Sequence, residues 1–390
     1  MIIEENRTDY VLPKEGGRIG FMGITSHGRE GARENTGNFL HGFAARHIIG
    51  EYRNLYPNKM TDEAVEQLRS ELTHVVFVAA TSIMVNDTTT LAKGHTKLAN
   101  AIEKLGLPVV VFGLGAQARI GQSVSTAVVA PETKRLLSVL SHHSPKIAVR
   151  GEFTAELCKH LGIDNVEVIG CQSCFISRRP DFRMTELTAP PRTERTVVNL
   201  TRHSQELPLL LQAIEGGATY IGQSSHFEYE IARMAEGITP DNLPEDVKAL
   251  MTEGVKRIVN SGALDFVGFH SYVRRKFFQY YSMEPWFERL RGGFDACIGT
   301  RFHGNMASMQ SGVPSLWIVH DSRTQEFCDY LGLPQAPLQA VRDGLTIADL
   351  FDRYYETETF AKKYPANYAR FYDYLTEHGV PHKLAMPLKN

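Results

Sequence analysis

The chain of 390 residues is 43% hydrophobic and 22% charged, a balance that excludes a disordered, collagen-like or coiled-coil protein and suits a globular one of more than one domain. Forty-two Lys and Arg against 44 Asp and Glu leave a formal net charge of −2, which is no footprint for nucleic acid, although a local basic cleft for a small anion is compatible with it. The longest apolar runs, 75–80 and 109–114, fall far short of the ~20 residues of a membrane span, and an odd set of five cysteines argues for a reducing compartment rather than a disulfide framework.

The first residues carry neither a basic n-region nor an apolar h-region, so a cytoplasmic protein without a secretory signal is expected. Strand-like runs follow at 18–22, 74–80, 108–114, 146–149 and 166–169, separated by helix-like stretches at 61–72, 91–105, 131–140 and 152–161. Thr61 ahead of Asp62 and Glu63 has the chemistry of an N-cap followed by acids in the first turn. Gly106 and Gly162 stand where a C′ glycine closes a helix. Near-continuous apolar strands alternating with helices predict parallel sheets covered on both faces. Residues 177–195, with three prolines and five arginines, break the pattern. It restarts with strands at 196–200, 218–222, 265–269, 296–299 and 315–319 and helices at 207–215, 228–236, 247–260, 286–291, 304–311 and 325–331. Two aromatic-rich helices over 347–377 are expected to pack back over the seam between the halves. The expected fold is α/β: two Rossmann-like doubly wound domains at 1–180 and 196–345 facing across a cleft, a linker at 181–195, and C-terminal helices at 346–390. Such a pair binds ligands beyond the carboxyl ends of its strands.

The densest chemistry lies in 294–321, FDACIGTRFHGNMASMQSGVPSLWIVHD. Arg301 and His303 leave a buried strand and enter a short helix, a junction whose backbone N–H groups favour an anion. The Arg fork adds a bidentate donor for phosphate or carboxylate, and the His a proton-transfer group that works near neutral pH. A structural ion pair for Arg301 and a satisfied core histidine at 303 are the competing reading.

The GTRFHG of 299–304, with GVP at 312–314, resembles the C-terminal signature of the polysaccharide pyruvyl transferase family. AVRGEFT at 148–154, LGI at 161–163 and VIGCQSCF at 168–175 resemble the family's middle stretch, and NTGN at 35–38 its turn into the first helix. The resemblance implies a GT-B-like pair of Rossmann-like domains that transfers pyruvyl from phosphoenolpyruvate to two hydroxyls of a saccharide or saccharide-linked acceptor, forming a cyclic ketal. It implies phosphoenolpyruvate as donor substrate, no cofactor, and donor contacts from Arg150, Arg301, Phe302, His303 and Arg323, with His303 and Arg301 catalytic. The acceptor side would be the first domain and the donor side the second. The chain departs from the family in lacking a glycine turn at 79–83, in Arg323 where many members have Lys, and in Gln172 where they have Pro.

Weaker signals complete the survey. Asn35, Asn38, Gln117, Arg202, Gln223, Ser224 and His226 are candidate acceptor contacts or cleft-lining groups, because each follows a strand or opens a helix on the cleft side. For His226 a solvated loop histidine is an equal alternative. GLGAQ at 113–117 lacks the third glycine of a dinucleotide loop. Cys171 and Cys174 form a lone C-x-x-C, too little for a zinc site, and no metal is assigned. Arg274, Arg275 and Lys276 read as a solvated helix face. Two rivals stay open: a GT-B glycosyltransferase using a nucleotide sugar, with Asp321 the one acid placed for a ribose, and a non-catalytic module that binds a small anion.

Overall fold

The computed structural model describes residues 10–13, 15–201 and 203–388. Its first sheet contains β1 (Glu15–Gly23), β2 (Tyr52–Asn54), β3 (His74–Val78), β4 (Thr81–Met84), β5 (Val109–Gln117), β6 (Ile147–Val149) and β7 (Val166–Val168). The order is β2-β1-β3-β5-β6-β7, with β4 lying beside the far end of β5, and every pairing is parallel. The second contains β8 (Thr196–Asn199), β9 (Thr219–Gly222), β10 (Phe277–Gln279), β11 (Ala296–Gly299), β12 (Ser315–Val319) and β13 (Gln335–Pro337). Its order, β10-β9-β8-β11-β12-β13, is again all parallel and reverses direction between β8 and β11, the switch point at which doubly wound sheets bind ligands. The expected pair of Rossmann-like α/β units holds. Among the described residues, no helix is long and apolar enough to cross a membrane.

Six helices position the site: α1 (Phe39–Ile49), α2 (Glu152–His160), α3 (His226–Ile231), α4 (Phe302–Gln310), α5 (Ser322–Leu331) and α6 (Glu358–Glu377). Every residue of α1 and of α4 is buried. These two are core helices wedged between the sheets, and neither has an apolar stripe opposite a polar one. Helix α6 returns across the first sheet: Tyr374 Oη donates to the Val111 carbonyl at 2.9 Å, Phe371 stacks on Phe175, and Asn367 donates to the Tyr330 carbonyl on α5.

Several expectations need correction. The strand placed at 265–269 is the start of the helix Phe266–Lys276, whose N-cap Asp265 accepts from the amides of Val267 and Gly268. The strand in that region is β10, and Arg274 and Arg275 do lie on an exposed helix face. The helix at 247–260 is two, Glu245–Lys248 and Glu253–Asn260, the second started by Thr252 accepting from the Val255 amide. The run 74–80 stops at Val78, and 79–83, where the glycine turn is missing, leads into β4.

Candidate active site

The centre of the site is built on the switch point of the second sheet. A Cβ at Gly299 would overlap the Asn199 carbonyl, so only glycine lets β11 pass this close to the end of β8. Asn199, itself buried, accepts from the Arg301 amide at 3.1 Å and donates to Asn305 Oδ1 at 2.7 Å, which fixes the turn between β11 and α4. Phe302 then points into the core, stacked on Phe327 of α5 at 4.0 Å, and His303 is delivered to the seam between the sheets, 8% exposed.

From the other sheet, Arg150 follows β6 and is 1% exposed. Its Nε donates to the Gly113 carbonyl at 2.7 Å, and its guanidinium lies over the Phe327 ring at 4.9 Å. Its Nη2 reaches His41 Nε2 at 2.9 Å. His41, on α1 and fully buried, has its ring 3.9 Å from that of His303 and its Nδ1 3.6 Å from Cys171 Sγ. Cys171 Sγ is in turn 3.8 Å from His303 Nε2 and 2.9 Å from Ser173 Oγ. Arg150 and His303, one from each half, are bridged by His41 and Cys171.

Burial, with Arg150 and Arg323 adding to it, holds the His303 pKa well below its usual value. Burial, His303, Arg150 and Arg323 do the same for His41. Both imidazoles are therefore neutral at neutral pH, whereas Arg150, lowered by burial to about 10, keeps its charge. Burial pushes the Cys171 thiol up, against the pull of Arg150 and Ser173.

His41, Cys171 and His303 bring three donor atoms within 4.8 Å of one another, a spacing that invites a metal. The chemistry does not fit one. A guanidinium only donates, so its bond to Nε2 leaves the His41 proton on Nδ1, the atom a metal would need bare, and a divalent cation would sit beside Arg150. All five cysteines are free and buried, and Cys171 and Cys174 form no redox bridge here.

The other expected residues divide into groups. Arg301 is half-buried, its Nε donating to the Leu200 carbonyl at 3.3 Å, with burial lowering its pKa and Glu206 and Glu228 opposing. Near it the turn at 35–38 docks on the second half: the Thr36 amide donates to the Gln223 carbonyl at 2.9 Å, and the Gln223 side chain fills the space a Cβ would need on Gly37 and on Gly304. Asn35 accepts from the Gly37 amide, and Asn38, Ser224 and His226 are half-buried around this mouth. Burial lowers the His226 pKa, with Arg33 and Arg301 adding. Arg323 lies on the other flank, donating to Thr81 Oγ1 at 3.3 Å and paired with Asp321 at 3.2 Å. Asp321 is itself the N-cap of α5. Gln117 ends β5 opposite Met84, apart from the 35–38 turn. Arg202 lies outside the described residues.

One turn beyond Arg323 on α5, Glu326 accepts from the Thr154 hydroxyl at 2.9 Å and from its amide at 3.2 Å, joining the two halves. Burial raises its pKa to about 7. Beside it, Arg119, Phe153, Ser322 and Lys363 line a cavity of about 490 Å³ that none of the expected donor residues enters.

Two parallel α/β units thus close a buried, cation-rich seam at their strand ends. The chain belongs to the polysaccharide pyruvyl transferase family, whose model matches residues 35–322. Among solved structures it is similar to the UDP-GlcNAc 2-epimerase of Methanocaldococcus jannaschii, with a TM-score of 0.42 and 10% identity over 93% of this chain and 100% of that one. It is similar also to the wall teichoic acid polymerase TagF, with a TM-score of 0.41 and 12% identity over 96% and 90%. A third similarity is to Os79 from O. sativa, with a TM-score of 0.38 and 9% identity over 90% and 94%. A comparison with curated proteins finds no match.

Proposed function

We propose that this chain moves a pyruvyl group from phosphoenolpyruvate onto two hydroxyls of a saccharide or saccharide-linked acceptor, closing a cyclic ketal and releasing inorganic phosphate. The observation that carries the reading is the buried seam in which Arg150 bonds His41, the His41 ring lies 3.9 Å from that of His303, and Arg323 and the N-terminus of α4 stand alongside. A trianionic donor needs several cations, and burial strengthens each contact. In this reading Arg150, Arg301 and Arg323 hold the donor, and the Phe302 and His303 amides at the head of α4 face its phosphate. One acceptor hydroxyl bonds through oxygen to C2 and gives up its proton, as C3 gains one. The C2–O bond to phosphate then breaks with its electron pair, and the second hydroxyl closes on C2, releasing its proton. The first half, with the 35–38 turn and Gln117, would select the acceptor, and no cofactor is needed.

Calorimetric titration of phosphoenolpyruvate, and separately of UDP, GDP and CMP, tests this without knowledge of the acceptor. Saturable phosphoenolpyruvate binding that disappears in Arg301→Ala is expected. Nucleotide binding with no response to phosphoenolpyruvate would replace the reading with a glycosyltransferase, and phosphoenolpyruvate binding without turnover on any acceptor would leave a small-anion module.

A further inference from the structure

We propose that Arg150, His41 and Cys171 form a one-way hydrogen-bond relay that holds the His303 proton on Nδ1, making His303 first the acid of the reaction and only afterwards its base. This rests on the donor reading above for the identity of the substrate, but the relay itself is a property of the free protein.

The direction follows from what each group can do. Arg150 has donors only, so at 2.9 Å it makes His41 Nε2 an acceptor and leaves the His41 proton on Nδ1. That proton points to Cys171 Sγ, 3.6 Å away. A thiol both accepts and donates, and Sγ lies 3.8 Å from His303 Nε2. With the thiol hydrogen on Nε2, the His303 proton is on Nδ1, which has no hydrogen-bond partner among the described residues and is left for the cleft. Gln172 opposes this order twice: its side-chain amide lies 3.2 Å from His41 Nδ1 while donating to the His41 carbonyl at 3.3 Å, and its Oε1, 3.9 Å from Cys171 Sγ, competes with His303 Nε2 for the thiol hydrogen. The charged bond from Arg150 is shorter and about twice as strong as a neutral one, so Arg150 sets the tautomer.

The relay then supplies a proton with its books closed. The donor's C2–C3 π pair takes the proton from His303 Nδ1, forming the new C3–H bond, while an acceptor oxygen bonds to C2. The Cys171 proton moves to His303 Nε2, and the thiolate left behind faces the His41 Nδ1–H, the Ser173 hydroxyl at 2.9 Å and the charge of Arg150. The acceptor's proton returns to His303 Nδ1, and the Nε2 proton goes back to sulfur. Cys171 and His41 act through His303 and are positioning residues. Nothing in the spacing of positions 41, 171 and 303 announces this; the fold alone brings them together.

Nitrogen-15 NMR of histidine-labelled full chain at about pH 7, with peaks assigned from His41→Gln and His303→Gln, reads the tautomers with no substrate present. The expected result is Nδ1–H on both rings, with the His303 peak moving toward a tautomer mixture in Cys171→Ala and returning in Cys171→Ser, whose hydroxyl also donates. His303 protonated on Nε2, or unmoved in Cys171→Ala, overturns the relay. Zinc bound stoichiometrically by the purified chain and displaced in His41→Gln overturns it as well. With phosphoenolpyruvate and an acceptor, Cys171→Ala is expected to lower kcat on the order of 100-fold with donor KM held, and Cys171→Ser to restore most of it. Equal loss in both variants, or loss in KM alone, overturns the acid role. A wild-type chain that shows the expected tautomers but binds no phosphoenolpyruvate sinks the donor reading and leaves the relay standing.

Discussion

Replacing Glu326 with Gln isolates one carboxyl that burial has pushed from its usual 4.5 to about 7. The folded chain binds this proton more tightly than the unfolded chain does. The resulting stabilisation is complete below about pH 4.5 and is lost as pH rises through about 7. A displacement of that size is worth about 3 kcal/mol, at about 1.4 kcal/mol per pH unit. For a chain of this length it corresponds to about 4 °C in Tm. Gln keeps the shape and an oxygen for Thr154 but cannot ionise, and other titrating groups, Glu228 among them with a pKa also raised by burial to about 7, cancel in the comparison. Denaturant melts of both proteins should therefore cross over: wild type relatively strongest at acid pH and weakening against Glu326→Gln by about 3 kcal/mol as pH approaches about 8. A constant gap across that range would mean that the folded and unfolded chains bind this proton equally, so that burial does not raise the Glu326 pKa.

Asn199→Ala should cost about 1–3 kcal/mol in urea melts, since it strands the Arg301 amide in a buried turn and leaves Asn305 Oδ1 only the Cys297 thiol, and it should abolish donor binding in the calorimeter. Gly37→Ala places a Cβ against the flexible end of Gln223, so its Tm should stay near wild type while kcat/KM falls; unchanged kcat/KM would show that this docking is not needed for turnover. Tyr374→Phe removes the hydroxyl that bonds both the carbonyl and the amide of Val111, an expected loss of about 1–3 kcal/mol with kcat unaffected.

How much of this was legible in the sequence depends on which physical signal carried it. Strands β11 and β12 fall where they are expected, because short β-rich apolar runs bounded by Gly and Pro identify buried parallel strands. Helix α1 has no periodicity to find: with every residue buried, FLHGFAARHII presents no polar face, and only the resemblance at 35–38 pointed to it. The apolar run at 265–269 fits strand and helix equally, and Asp265 as an N-cap was the overlooked discriminator. Strands β2, β10 and β13 have three residues each at sheet edges, where no continuous apolar run marks them. In the site, Arg150, Arg301 and His303 were visible because motif and strand end coincide. His41 and Asn199 were not, since their work is done by partners more than a hundred positions away.

The two halves are tied along their back by α6, through Tyr374 and Asn367, and beside the site by Glu326 with Thr154 and Ser322 with the Ala118 carbonyl. A hinge that opened the whole seam would break all of these at once, together with the contact of Arg150 over the Phe327 ring. The segment 24–38 is held to the second half much more lightly. Its fastenings include the Gly28 amide to the Tyr281 carbonyl, the Thr36 amide to the Gln223 carbonyl, and Glu30 to Tyr229 and Arg233 at the surface. Lifting this segment on the end of β1 would therefore break fewer bonds than parting the halves, and the frame would be left standing.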